Sequence, residues 1–307
     1  MRLVLENMKK SGNPIGLSSD KCSYWAKGLS IPRNSGKILY TSCMYQMAPY
    51  IKKLVEQLER FGETSLSSLA LGLGRVFSRI IDVTSVLRPP AEELERSSVI
   101  IRKIYSVLRR IDPDIGYLYE EEPYSGALLY ELGLESAFID QVERVVEVFK
   151  KFGVKKIYTI DPHTYHVLKD IYPRYIDNFD IEVYHYIEVL SEKIDVLEKS
   201  GGSEEYVIHD PCLLARYANI INQPRRILDK LGVRYREHIR SKIRTRCCGG
   251  PIESIAPSIS GYMARYRLEE LASVSNRIIV MCPICYVSLS RVADKNHEIR
   301  DLAEFLG

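Results

Sequence analysis

The chain is written twice, and that limits what it can fold into more than any other feature. From Ile157 to Leu168 it reads IYTIDPHTYHVL, and from Ile278 to Leu289 it reads IIVMCPICYVSL. Both stretches run apolar residues into a Pro, then place a Tyr and a Leu at matching offsets. Two more landmarks recur in the same order. A strand-like run ends on a cysteine at KILYTSC (Cys43) and again at YVIHDPC (Cys212). A Gly-centred turn opens a helical stretch at YSGALLYELG (Tyr124 to Gly133) and again at CCGGPIESIA (Cys247 to Ala256). Gly126 stands 35 positions before Asp161, and Gly249 stands 33 before Cys282. Ordered recurrence at matched spacing is the mark of a repeated supersecondary unit.

Hydrophobic periodicity fills in the unit. Phe138, Val142, Val145, Phe149 and Phe152 step by four and three, which predicts one face of a helix. Gly153 ends it, and VKKIYTI then reads as a buried strand. In the second copy Ala264, Leu268 and Leu271 keep the same stepping before RIIVM. Strand, helix and strand in alternation imply right-handed crossovers. The expected fold is therefore α/β, with two pseudo-symmetric duplicated domains, each a parallel sheet flanked by helices. An N-terminal arm would occupy 1–35, the first repeat 36–200 and the second 201–307, joined through the polar EKSGGSEE. The first repeat carries a helical insertion at about 62–112 without counterpart in the second, a candidate interaction surface. In it Leu94, Ile101, Tyr105 and Leu108 suit an amphipathic helix after the breaker RPP.

Composition narrows the function classes. A chain of 307 residues, 46% of them hydrophobic, buries a core large enough for two ordinary domains. The formal net charge is +3, with Lys and Arg interspersed among Asp and Glu, so no basic stripe argues for nucleic acid. No apolar run approaches the roughly 20 residues that cross a bilayer. The opening MRLVLENMKKSGNP does not read as a secretory signal, so a cytoplasmic chain without a transmembrane segment is expected. Gln is scarce while Ile, Tyr, Arg and Glu are plentiful, a thermophile-like bias. Intracellular disulfides do occur in such organisms.

Seven cysteines are unevenly placed: Cys22 and Cys43 early, Cys212, Cys247, Cys248, Cys282 and Cys285 in the last third. A cluster of that kind in a reducing compartment points to metal or redox chemistry. The landmarks place these thiols where strands end, and ligands collect at the carboxyl ends of parallel strands. A single tetrahedral zinc uses four ligands and leaves a fifth idle. The adjacent Cys247 and Cys248 suit two atoms of a polynuclear cluster, and thiolate-rich sites favour iron–sulfur clusters or zinc. Gly249 and Gly250 leave the backbone bare of Cβ, free to approach sulfide and donate N–H bonds. Cys285 would open a final helix whose dipole favours a thiolate. The plain alternative is five buried, hydrophobe-like cysteines.

HDPCLLARYANIINQPRRIL, CCGG and MCPICYVSL resemble the cysteine-rich CCG domain of the heterodisulfide reductase B/D subunits. The same domain occurs in the iron–sulfur subunits of lactate, glycolate and glycerol-3-phosphate oxidoreductases. SGNPIGLSSDKCSYWAKGL is similar to the segment before the family's first CCG domain, and DPHTYHVLK to its CPHCYHTLK element, so the resemblance covers nearly the whole chain. It implies one [4Fe-4S] cluster held by Cys212, Cys247, Cys248, Cys282 and Cys285, non-cubane if all five ligate and cubane if four do. It also implies an electron-transfer subunit of a heterodisulfide reductase-like or related oxidoreductase complex, acting on a thiol or disulfide or exchanging electrons with a flavoprotein. The family's CxxCxxCxxxC motifs are absent here, so a ferredoxin-like iron–sulfur subunit, a flavoprotein subunit or both would be partners. On this basis 36–200 is a degenerate CCG domain, with Tyr124, Ser125, Gly126, Asp161 and Thr164 at motif positions and only Cys43 kept, and 201–307 is the intact cluster-binding domain. The rival from another class is a non-catalytic adaptor with a structural zinc site.

Other residues carry weaker expectations. Cys43 and Cys22 are expected to pack as core thiols, with a crevice-facing thiol and a disulfide as alternatives for Cys43. His163 with Asp161 and Cys43 makes a loosely spaced zinc set. His209 would donate a hydrogen bond to the cluster or shuttle a proton, if it does not simply satisfy backbone groups at a strand end. Arg216, Arg225 and Arg226 are expected to be mostly solvated, and Pro224 fits the first turn of a helix with Ile227, Leu228 and Leu231 facing inward.

Overall fold

The computed structural model describes residues 1–62 and 87–307. Two parallel sheets organise them. In the first, β1 (Lys37–Tyr40), β2 (Lys156–Thr159) and β3 (Glu182–His185) lie in the order β1-β2-β3. In the second, β4 (Glu205–Ile208), β5 (Arg234–Arg236), β6 (Arg277–Val280) and β7 (Glu298–Asp301) lie in the order β5-β4-β6-β7. Helices carry the chain back between strands, as parallel pairing requires. The α/β class and the paired, helix-flanked sheets agree with the sequence expectation.

Register makes the duplication explicit. Ile38 pairs with Ile157 in one sheet and Val207 with Ile278 in the other, the residues that the repeat aligns. One strand further, Ile157 meets Val183 and Ile278 meets Ile299. The counterpart of β5 in the first sheet is reduced to Gly116, which makes one parallel bridge to Ile38. Its N–H donates to the Lys37 carbonyl and its carbonyl accepts from Leu39. A side chain there is excluded, since a Cβ would come 2.4 Å from the Pro32 carbonyl oxygen. A further landmark repeats unnoticed in the sequence. His185 and Asp301 each end a strand and cap the next helical turn in a capping box, with Glu188 and Glu304 reaching back.

One continuous core underlies both sheets. The Glu135–Lys151 helix buries Phe138, Val142, Val145 and Phe149, each worth about 1.5–3 kcal/mol of burial. Phe152 falls at its C-cap and is only partly covered. The Pro257–Ala272 helix buries Ala264, Leu268 and Leu271. Of the predicted insertion, residues 63–86 lie outside the described residues. The Ala91–Ile111 helix follows Pro90 and buries Ile101, Tyr105 and Leu108, with Leu94 partly covered. That helix grips the chain's end: Arg96 pairs with Glu304 and stacks 3.7 Å over the Tyr286 ring. Lys103 donates to the Glu304 and Leu306 carbonyls. Two local expectations change. Pro224 is the third residue of the Asn222–Leu231 helix rather than its first, and Arg225 is buried in ion pairs with Asp210 and Glu237 rather than solvated. No described helix is long and apolar enough to cross a membrane.

Candidate metal centre

The five late cysteines arrive from three directions. Cys212 lies in the turn after β4, and Cys282 follows β6 as N-cap of the Pro283–Val292 helix, with Cys285 in that helix's first turn. Cys247 and Cys248 differ from the expectation. They sit on a long loop well past the end of β5, not at a strand end.

Asp210 secures that loop. Its buried carboxylate is gripped in a two-pronged pair by Arg225 and accepts the Lys242 N–H at 2.6 Å. Its carbonyl accepts the Thr245 hydroxyl at 2.8 Å, while Arg216 donates to the Thr245 carbonyl. The strand that leads to Cys212 is thus stapled to the residues just before Cys247.

The sulfurs then form a continuous set. Cys212 and Cys247 stand 4.0 Å apart, and Cys248 and Cys285 3.3 Å apart. Cys247 also contacts Cys248, and Cys285 contacts Cys282. Cys248, Cys282 and Cys285 are buried; Cys212 and Cys247 are partly buried. The Gly249 N–H donates to the Cys247 sulfur at 3.3 Å. The glycines have a second use: Gly249 takes φ +84° against Met263 and Ser260, and a Cβ on Gly250 would strike Ile284 at 2.2 Å. They permit close packing of the two flanking helices as well as bonding to sulfur.

So many thiols at this separation cannot all ionise unless positive charge compensates them. Their protonation is accordingly split. Hydrogen bonds from Cys212 and Cys248, with the Gly249 N–H, hold Cys247 far below the usual thiol range, while the same contact pushes Cys212 up. Cys248 and Cys285 are also held up, first by their sulfur contacts and then by burial. Burial opposes ionisation of Cys282, yet hydrogen bonds from Cys285 and His163 and the His163 charge bring it down to about 5. The helix start thus favours the thiolate at Cys282, one turn earlier than expected. A concentrated, largely enclosed sulfur set fits a thiophilic metal or an iron–sulfur cluster.

Two histidines frame this set. His209 is fully buried, and its nitrogen lies within 4.8 Å of the Cys248 and Cys285 sulfurs. Arg267 Nε, on the buried face of the Pro257–Ala272 helix, donates to His209 Nδ1 at 3.2 Å. An arginine only donates, so the neutral ring carries its proton on Nε2, which has no partner among the described protein atoms. Burial, then the Arg267 charge, lowers the His209 pKa to about 3. His209 is therefore a neutral N–H donor beside the sulfurs, and its protonated Nε2 is not free to bind a metal. His163, from the first half, contacts Cys282 and pairs with Glu131. Burial disfavours its charge, but Glu131 and Cys282 raise its pKa well above the usual value. The sequence placed His163 in a different set, and Arg267 was missed. The i, i+3, i+4 and i+7 stepping of Ala264, Arg267, Leu268 and Leu271 already put an arginine in the core stripe.

The matching pocket of the first half is filled with hydroxyls. Ser125 and Thr164 occupy the places of Cys248 and Cys285, and their oxygens stand 3.3 Å apart like the two sulfurs. The Ser42 hydroxyl donates to Ser125 at 2.9 Å. Asp161 replaces Cys282 and caps the following helix, accepting the His163 and Thr164 N–H groups. Cys43 and Cys22 are not packing thiols: they form a disulfide. Ser42 and Cys43 adopt left-handed backbone, φ +50° and +56°, where Cys212 has φ −60°. With Cys43 bonded and Asp161 engaged as a cap, the zinc set with His163 is not assembled.

Comparison with known proteins points to the same stretch of the chain. Residues 206–290 match the cysteine-rich CCG domain. The chain is 32% identical over 227 residues to the probable iron–sulfur-binding oxidoreductase FadF of Bacillus subtilis, covering 69% of this chain and 31% of that protein. It is 30% identical over 220 residues to the EtfAB:quinone oxidoreductase of Syntrophomonas wolfei, 65% of this chain and 30% of the relative. It is 28% identical over 197 residues to a component of the dihydromethanophenazine:CoB–CoM heterodisulfide reductase of Methanosarcina barkeri, 60% of this chain and 48% of that relative. The chain thus matches between about a third and a half of the length of these relatives.

Proposed function

We propose, for a chain that belongs to the cysteine-rich CCG domain family, a role as the iron–sulfur electron-transfer subunit of an oxidoreductase complex. It would hold one [4Fe-4S] cluster through Cys212, Cys247, Cys248, Cys282 and Cys285. The observation that carries this reading is the continuous set of five sulfurs, with three buried and two partly buried. The cluster, when bound, supplies one-electron transfer. The Gly249 N–H donates to the Cys247 sulfur, and the buried, unpartnered His209 Nε2–H would be a second donor to a bound cluster; such donors favour the more negative, reduced state. The imidazolium of His163 adds positive charge on the Cys282 side. The first half lacks a second thiol set, with Ser125, Thr164 and Asp161 in the corresponding places. A relay through one cluster therefore suits this chain better than disulfide cleavage between two. A ferredoxin-like iron–sulfur subunit or a flavoprotein subunit would then exchange electrons with it, in line with the names of its relatives.

Anaerobic purification with iron and acid-labile sulfide analysis tests the assignment. About four irons per chain are expected, with brown colour and absorption near 400 nm. Cys248→Ala is expected to lose most of the iron. Unchanged iron in that variant would remove Cys248 from the ligand set. A colourless chain holding only zinc would instead favour the structural-metal adaptor.

A further inference from the structure

The Pro257–Ala272 helix is apolar on two sides. Its inner face packs on the second sheet, yet Ile259, Tyr262 and Tyr266, spaced i, i+3 and i+7, share the opposite face and are 55%, 68% and 43% exposed. Ile255, just before the helix, and Ile243 are each 55% exposed. Single exposed apolar residues are ordinary; several large ones grouped together mark an interaction site. The helix that carries most of this group borders the sulfur site, since Gly249, next to Cys248, packs against its Met263 and Ser260. The Arg246 guanidinium stacks 4.5 Å over the Tyr266 ring, one residue before Cys247. Arg216, in the turn after Cys212, bonds the Thr245 carbonyl next to it.

Charge gives the patch a sign. The segment 234–246, RYREHIRSKIRTR, carries Arg234, Arg236, Arg240, Lys242, Arg244 and Arg246 against a lone acid, Glu237. Arg240, Lys242 and Arg244 are exposed, as are Arg216 and Arg265; Glu270 pairs with Arg240 and Arg246, and Glu237 with Lys242, which still leaves the basic residues in excess. The chain as a whole is only +3, so this concentration is local.

We infer that this patch is the docking surface for an acidic electron-carrier protein, a reading that rests on the cluster proposed above. Its exposed Ile and Tyr residues form the apolar centre, and the basic residues form a ring that steers and orients an acidic partner. Cys247 is only partly buried and directly follows Arg246, so a partner seated on Arg246 and Tyr266 brings its redox centre next to the sulfur site.

The test uses the iron-loaded chain, titrated calorimetrically with a small acidic ferredoxin and, for contrast, with basic cytochrome c. Ferredoxin binding is expected to weaken about tenfold or more between about 0.05 M and about 0.5 M salt, as screening of a charged rim requires. Arg244→Glu with Arg265→Glu, and separately Tyr262→Ser, should each weaken it about tenfold, with iron content and circular dichroism unchanged. Lys9→Glu with Lys10→Glu, on the Arg2–Ser11 helix, should leave it intact. The proposal is overturned if ferredoxin does not bind, if cytochrome c binds as well, or if neither rim variant weakens binding. It is also overturned if sedimentation shows that a second copy of the chain covers this face and Tyr262→Ser abolishes that dimer. A wild-type chain without iron would defeat the cluster assignment, while the ferredoxin titration would still score the surface.

Discussion

At the scale of single residues, the chain spends buried polar groups on positioning. Arg267 sits wholly in the core, where it fixes the tautomer of His209 and is held by Glu270 at 3.0 Å. Glu122 plays a comparable part in the first half. Its carboxylate oxygens accept the Thr41 N–H at 2.9 Å and the Thr41 hydroxyl at 2.6 Å, and the Ser42 and Cys43 N–H groups also bond to it. The residue as a whole is half-buried, but its carboxyl is enclosed, and desolvation outweighs those bonds to raise its pKa to about 8. The folded chain therefore holds this proton at pH values where the unfolded chain has released it. Its contribution to stability is greatest below the unfolded carboxyl pKa, about 4.5. It falls as pH rises and levels off above about 8. Urea unfolding between these limits should show stability declining with pH, and Glu122→Gln should flatten that decline. An unchanged slope in the variant would assign the pH dependence elsewhere.

At the scale of elements, the second sheet positions its cysteines through one polar strap. The Asp210–Arg225 pair joins the end of β4 to the Asn222–Leu231 helix, and the bonds from Lys242 and Thr245 add the loop that leads to Cys247. Removing one partner of a buried ion pair strands the other charge, which costs about 3–5 kcal/mol. Asp210→Ala should lower unfolding free energy by about that amount and release the Cys247 loop from Cys212. Its iron content after reconstitution should fall below that of the wild type. Full iron retention with the stability loss would separate the strap's structural role from any role in ligand placement.

At the scale of the molecule, the Ala91–Ile111 helix couples the halves. Arg96 reaches Glu304 through two nitrogens and lies over Tyr286, while Lys103 holds the carbonyls of the C-terminal turn. Elsewhere Tyr45 donates to Asp301 at 2.9 Å across the same junction. Charge-assisted, partly buried bonds of this kind are worth about 1.5–3 kcal/mol. Arg96→Ala should reduce stability by that order in urea titrations. Arg96→Lys should restore only part of it, because an ammonium cannot reproduce the two-pronged pair. Full recovery with Lys would mean that charge alone, not guanidinium geometry, holds the junction.

The duplication, the α/β class and the grouping of cysteines into one copy are legible in the chain alone, because strand and helix periods and the Cys–Pro landmarks are local and survive in order. Even the sheet register follows the repeat, pairing Ile38 with Ile157 and Val207 with Ile278. Legibility ends where contacts join residues distant in the chain. The bond between Cys22 and Cys43, 21 positions apart, emerges on folding, as does the conversion of Arg225 from an apparently solvated arginine into a buried strut. Folding likewise brings His163 of the first half to Cys282 of the second, and leaves Ile259, Tyr262 and Tyr266 exposed on one face of the Pro257–Ala272 helix. Periodicity records which residues want to be buried; it does not record which partner buries them, and these features are set by partners.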